Sequence, residues 1–288
     1  MAAIDVLIPT CDRPTALAVT LATLLAQDFS DFDLVIADQS AATPGYDDPS
    51  VRAVLRVFEA RGHRIDLSTN LPRRGMAQQR AFLLGRARAP HVLCLDDDVI
   101  LEPDLVGRML RALERSECGF IACGLHGLSF RHEQRPHQQA IEFWEGGVRP
   151  EVVLPGGPAW PRHLLHNAAN LWHVQSRLRA DAATPRLYKL AWSGGCVLYR
   201  TAALKDAGGF DFWCELPAGH CGEDVLAQLR VMARHGGAGL LPSGAYHQEL
   251  PTTVTARAVD APFHLNPFGP ADAADAAPPP GTGAAHAA

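Results

Sequence analysis

The chain has 288 residues, 47% of them hydrophobic, which suffices for one large domain or two small ones and argues against wholesale disorder. Its 26 basic and 31 acidic residues leave a net charge of -5, so there is no electrostatic case for nucleic-acid binding. The seven cysteines are irregularly spaced and form no C-x-x-C pair, which speaks against a zinc site or redox motif and for a reducing, cytoplasmic setting.

Met1 to Asp5 lacks the basic and apolar regions of a signal peptide. No apolar run has transmembrane length, so a membrane-bound substrate would be met by peripheral contact from the water side. Ile4 to Pro9 predicts a buried strand, and Pro14 suits the first turn of a helix carrying Leu17, Leu21, Leu24 and Leu25. A second strand, Leu34 to Ala37, ends at Asp38. A helix follows over about Ser50 to Ala60, then a short strand at Ile65 to Leu67. Gly75 to Ala89 reads as a helix closed before Pro90. His91 to Leu95 is the next strand and runs into Asp96-Asp97-Asp98. Pro103 opens another helix, and Phe120 to Cys123 forms a strand.

From about 125 to 190 the chain is rich in His, Pro, Trp and Gly without a period, which predicts an insertion or lid. Gly194 to Arg200 restores a strand and Thr201 to Ala207 a short helix. Glu223 to Arg234 is a clear helix stopped by Gly236-Gly237, and Ala238 to Leu241 is a last strand. Residues 268–288, mostly Ala, Pro and Gly, predict a disordered tail. Alternating strands and helices imply an α/β fold with a mostly parallel central sheet flanked by helices.

The three aspartates carry the strongest signal. Neighbouring carboxylates repel, and a divalent cation or strong donors would reverse that cost. If the strand continues through them, Asp96 and Asp98 share one face at the carboxyl end of the sheet. The plainer alternative is a solvated acidic turn. Arg80 sits on the apolar stripe of its helix, beside Met76, Leu83 and Ala87, and calls for a phosphate or a structural acid. Arg74 and Gly75 stand where that helix begins, and helix N-termini favour phosphate oxygens. Asp38 could accept from a base or ribose, or cap a turn. Glu223 and Asp224 open a helix after a flexible glycine approach. Trp192, next to Ser193-Gly194-Gly195, is a candidate acceptor platform, whereas Trp144, Trp160 and Trp172 read as core or lid packing.

Read together, these segments resemble the inverting glycosyltransferases of family 2, which have the GT-A fold. The resemblance rests on Val6-Leu-Ile-Pro-Thr10 with Arg13-Pro14, and on Asp38 in Ile36-Ala-Asp-Gln-Ser40. It continues through Asn70, Gly75 and Arg80, with Ala81 in place of the usual asparagine, and through Leu95-Asp-Asp-Asp98. Gly194 to Arg200 with Ala207-Gly-Gly-Phe-Asp211, and Gly222-Glu-Asp224, complete it.

The resemblance implies a nucleoside-diphosphate sugar donor, by default a UDP-sugar, held by Pro9, Thr10, Arg13, Asp38, Arg74, Gly75, Arg80, Asp96 and Asp97. It implies Mn²⁺ or Mg²⁺ on Asp98 with Asp96, and His247 as a further ligand. Asp224 would be the general base, and Trp192, Gly194, Gly195 and Glu223 would meet the hydroxyl of a glycan, lipid-linked sugar or small molecule. Residues 1–124 would form the donor half, 125–190 an insertion with acceptor contacts, and 191–267 the acceptor and base half. The competing expectations are a non-catalytic nucleotide-sugar-binding protein and a sugar nucleotidyltransferase. Against the latter, Pro9 to Pro14 contains no glycine.

Overall fold

The structure, a computed structural model, describes residues 1–253 and 257–268. The elements follow in chain order as β1 (Ile4–Thr10), α1 (Pro14–Leu25), β2 (Phe32–Asp38), α2 (Pro49–Ala60), β3 (Ile65–Thr69), α3 (Met76–Arg86), β4 (His91–Leu95), β5 (Val99–Leu101), α4 (Leu105–Ser116) and β6 (Phe120–Ala122). After an irregular stretch come α5 (Asn170–Leu178), β7 (Arg186–Tyr188), β8 (Cys196–Arg200), α6 (Thr201–Asp206), β9 (His220–Cys221), α7 (Glu223–His235), β10 (Gly237–Leu241), β11 (Ala245–His247), β12 (Val259–Asp260) and α8 (Ala261–His264).

Eight strands form the central sheet in the order β3-β2-β1-β4-β8-β6-β10-β7. β3, β2, β1 and β4 pair in parallel, as do β6 and β10, while β8 and β7 run the other way. Side chains alternate across the sheet. Ile4, Val6 and Ile8 of β1 pack with Leu17, Leu21, Phe58 and Met109 on the side of α1, α2 and α4. Leu7 faces the opposite layer, with Leu83, Leu204, Leu226 and Leu229 of α3, α6 and α7. A strand buried on both faces is a continuous apolar run rather than an alternating one, which is why β1 and β2 are legible in sequence.

The chain winds outward from β1 through β2 to β3, then returns to place β4 on the other side of β1. Ligands of open α/β sheets bind at such a reversal, outside the carboxyl ends of the strands. Thr10 ends β1 there, and the three aspartates follow β4.

The structure refines the elements expected from sequence. β4 ends at Leu95 as expected, and the aspartates that follow it form a turn. α3 ends at Arg86, three residues early, with Ala87 already extended. The strands β5, β7 and β11, three residues each, escaped sequence reading. Phe268, placed in the disordered tail, is buried against the core, while 269–288 lie outside the described residues. Within the segment 125–190, β7 pairs antiparallel with β10 and closes the edge of the central sheet.

Candidate active site

A cavity of about 520 Å³ opens at the reversal point, within the range of small-molecule sites. Among the residues expected from sequence, Pro9, Thr10, Arg13, Arg80, Asp96, Asp97, Asp98, Trp192, Glu223, Asp224 and His247 line it. Asp38, Arg74, Gly75, Gly194 and Gly195 do not.

The acid turn is held from several sides. Thr10 Oγ1 donates to Asp97 Oδ2 at 2.7 Å, tying β1 to the turn. Thr20 of α1 donates to the Asp97 carbonyl at 2.8 Å and accepts from the Val99 N–H at 3.1 Å. Arg13 Nη1 donates to Asp98 Oδ2 at 2.7 Å and approaches Asp97 Oδ1 at 3.4 Å. Its Nη2 donates to the Pro251 carbonyl. Arg80 Nη2 donates to Asp96 Oδ1 at 2.9 Å. Burial, helped by the charge of Asp98, pushes the Asp97 carboxyl up to about 6, against the Thr10 hydrogen bond and Arg13.

His247 arrives through the small sheet that sequence reading missed. β11 pairs antiparallel with β5, setting His247 opposite Val99 and so beside Asp98. The Gln248 N–H fixes this register on the Asp98 carbonyl at 2.8 Å. His247 Nε2 lies 3.6 Å from Asp98 Oδ2.

Two ligands of one ion can stand that far apart. The Glu249 N–H, however, donates to Nδ1 at 2.7 Å, which leaves the proton of the neutral ring on Nε2. Among the described residues no three His, Cys, Asp or Glu side chains gather as a metal cluster. Mg²⁺ and Mn²⁺ commonly take one or two carboxylates and draw further ligands from substrate phosphates and water. The hard Asp98 oxygen fits that pattern, and His247 Nε2 would join it in the other neutral tautomer, with the proton on Nδ1 and the Glu249 hydrogen bond given up.

The opposite wall is the start of α7. Asp224 is half-buried, and its Oδ1 accepts from the Val225 N–H at 2.9 Å. Burial, then the charges of Glu223 and Asp96, push its carboxyl up to about 7, against the pull of Arg80. Arg80 joins the two walls, because its Nε donates to Glu223 Oε1 at 3.0 Å while Nη2 holds Asp96. The arginine on the apolar stripe is thus buried between two acids that line the cavity with it.

The residues that miss the cavity have physical reasons. The carboxylate of the fully buried Asp38 accepts from the N–H groups of Ser40 and Gly45 and holds the turn after β2. Gln39 lines the cavity beside it. The N-terminus of α3 is not open to a phosphate. His220 accepts there from the Ala77 N–H at 3.0 Å through Nε2, and its Nδ1–H donates to the Pro217 carbonyl at 2.6 Å. Gly75, at φ 96°, makes room, because a Cβ there would stand 2.3 Å from His220 Cε1. Arg74 is exposed.

Gly194 and Gly195 act as backing. A Cβ on Gly194 would come within 3.3 Å of Asp224 Oδ2, and the Gly195 carbonyl accepts from the Asp96 N–H at 2.9 Å. Trp192 stacks on His163 at 5.6 Å, and its carbonyl accepts from His166 Nδ1 at 2.8 Å. Trp160, read as packing from sequence, also lines the cavity. Trp144 and Trp172 do not.

His220 had no sequence signal among thirteen histidines. His220→Ala removes the acceptor for a buried helix N–H and is expected to destabilise the fold by about 1–3 kcal/mol in urea unfolding. A loss within about 0.5 kcal/mol, the range of an ordinary surface change, would contradict the capping role.

Residues 5–169 match Glycosyl transferase family 2. The match runs past residue 125, into the segment where sequence reading found no family pattern. No curated protein matches the chain. Among solved structures, S. aureus TarS is similar with a TM-score of 0.53 at 19% identity, over 85% of this chain and 36% of that one. S. aureus TarS 1-349 in complex with UDP-GlcNAc gives 0.53 at 15% identity, over 87% of this chain and 60% of that one. The same fragment in complex with UDP gives 0.52 at 16% identity, over 84% and 59%. The chain therefore spans between about a third and three fifths of these relatives, and at such identities the likeness speaks to the fold.

Proposed function

The chain belongs to glycosyl transferase family 2 and has its GT-A fold, and from that premise we propose that it transfers a sugar, with inversion, from a nucleoside-diphosphate sugar to an acceptor hydroxyl. A UDP-sugar is the favoured donor. The observation that carries the reading is Asp224, a carboxyl raised to about 7, sharing one cavity with the acid turn after β4.

Residues 1–124 hold the donor in this reading, and 191–267 present the base. The segment 125–190 adds Trp160 beside Trp192 on the acceptor side. Aromatic faces suit the C–H faces of a sugar ring, so a glycan or lipid-linked sugar is the acceptor class that the lining favours. No helix among the described residues is long and apolar enough to cross a membrane, and a lipid-linked acceptor would be reached by peripheral contact. The seven cysteines are free, which suits a reducing cytosol.

Asp224 takes the proton of the acceptor hydroxyl. The acceptor oxygen then bonds to the anomeric carbon from the face opposite the diphosphate. The bond from that carbon to the diphosphate oxygen breaks, and its electron pair leaves with the nucleotide. A carboxyl near 7 suits this task, since a base works best with a pKa close to the operating pH. Arg80 restrains the rise by placing its charge between Asp96 and Glu223. Asp98, with His247 and Asp96 nearby, would hold Mn²⁺ or Mg²⁺, which neutralises the charge gathering on the leaving diphosphate. Thr10 and Arg13 fix the orientation of the acid turn from the β1 side.

The test is UDP release from UDP-hexoses, with glycan and glycolipid acceptors, followed from about pH 5 to about pH 9. Asp224 must be ionised to act, so kcat/KM is expected to fall about tenfold per pH unit below about 7. A rate flat down to the ordinary carboxylate range would contradict Asp224 as the base, and retention of the anomeric configuration would contradict the displacement.

A further inference from the structure

We infer that Arg13 holds the cation position at Asp98 until a nucleoside diphosphate draws it away, so that divalent metal and nucleotide bind as a coupled pair; this rests on reading Asp98 as the metal carboxylate. Asp97 and Asp98 are adjacent and only 6% and 5% exposed. Two carboxylates so placed are costly without compensation. Thr10 relieves Asp97 alone. The positive charge comes from Arg13, whose Nη1 stands 2.7 Å from Asp98 Oδ2 and 3.4 Å from Asp97 Oδ1.

That same Oδ2 is the oxygen facing His247 Nε2 at 3.6 Å. An ion placed between Asp98 and His247 would compete with the guanidinium for one oxygen. It would also stand beside a group that cannot shed its charge. Bare metal therefore enters against both a lost ion pair and a repulsion.

A diphosphate changes this balance. Its oxygens offer the guanidinium a partner of matching fork geometry. Arg13 is the residue before α1, outside the helix proper, so its side chain can change partners without unwinding a turn. Once Arg13 turns to phosphate, Asp98 Oδ2 is released to the metal and the repulsion is screened by the diphosphate charge. The coupling is reciprocal, so metal must tighten nucleotide by the same factor.

The experiment measures free Mn²⁺ by electron paramagnetic resonance in titrations of the full chain, with and without saturating UDP. In the wild type UDP is expected to tighten Mn²⁺ about tenfold or more. Arg13→Gln should bind Mn²⁺ alone about tenfold more tightly than the wild type, with the help from UDP reduced by about the same factor. Arg13→Lys keeps the charge and should stay close to the wild type in UDP-free affinity, which also controls for damage to the fold. UDP-free Mn²⁺ affinity that is unchanged or weaker in Arg13→Gln, with UDP still tightening Mn²⁺, overturns the inference alone. Absence of Mn²⁺ binding in every form, even with UDP bound, overturns the assignment of Asp98 and the inference with it.

Discussion

Asp224→Asn is expected to lower the rate of sugar transfer by about 10²–10⁴-fold, the usual worth of a general base. UDP affinity should change little, because the substitution keeps the shape and leaves the acid turn across the cavity untouched. Asn accepts no proton at neutral pH, so the acceptor hydroxyl would attack without help. The same variant carries a second signature in stability. Folding raises the Asp224 carboxyl from the ordinary 3.8 to about 7, so the folded chain resists ionising a group that the unfolded chain ionises freely. The resulting penalty is absent below the ordinary value, grows as pH rises toward 7, and stays constant above it. Asn removes the penalty. The variant should therefore melt higher than the wild type at about pH 8, by a larger margin than at about pH 5. Near-normal transfer would remove Asp224 as the base. A margin that does not grow with pH would contradict its raised pKa.

Asp98→Ala should abolish the metal dependence of nucleotide binding. The wild type is expected to bind UDP about 10- to 100-fold more tightly with Mn²⁺ than without, the range of ordinary coupling energies. In the variant the two affinities should converge, because the ion loses its carboxylate. Calorimetric titration of UDP with and without Mn²⁺ reads this directly. The ligand-free melting temperature serves as the control, since Arg13 keeps Asp97 at 3.4 Å as a remaining acid partner. Undiminished Mn²⁺ dependence in Asp98→Ala would remove Asp98 as a metal ligand.

Much of the fold is legible in the sequence because its central strands are buried on both faces. β1, β2 and β4 each carry a run of buried apolar residues, broken in β1 and β2 by a single early aspartate. The three-residue strands β5, β7 and β11 are not legible. β5 and β11 are too short for a period to emerge, yet their pairing is what brings His247 to Asp98. A lone histidine some 150 residues from the acid turn gives no local hint of that contact.

The acid turn itself is conspicuous, since three adjacent carboxylates need an external reason. Its charge partners are less so. Arg80 stands out on an apolar stripe, but that it joins Asp96 to Glu223 depends on α7 packing beside α3 on the same face of the sheet. Asp38 and Gly75 have local partners that their motifs do not reveal. Each sits in a fitting motif, but Asp38 spends its carboxylate on two backbone N–H groups, and Gly75 makes way for His220 at a helix start. Such local satisfaction of hydrogen bonds leaves no trace in residue type. The segment 125–190 had no period because it is built mainly of short turns around α5, and Trp160 reaches the cavity from one of those turns.

The central claim is that this cavity takes a nucleoside-diphosphate sugar, and nucleotide-induced thermal stabilisation tests it most directly. UDP, GDP, dTDP and CMP would each be added with and without Mn²⁺. A ligand that binds the native state at about 100 times its Kd adds about 2.7 kcal/mol of stability. The expected result is a marked rise in melting temperature with one diphosphate, UDP foremost, and a larger rise when Mn²⁺ is present. No shift with any nucleotide, with or without the metal, would contradict it.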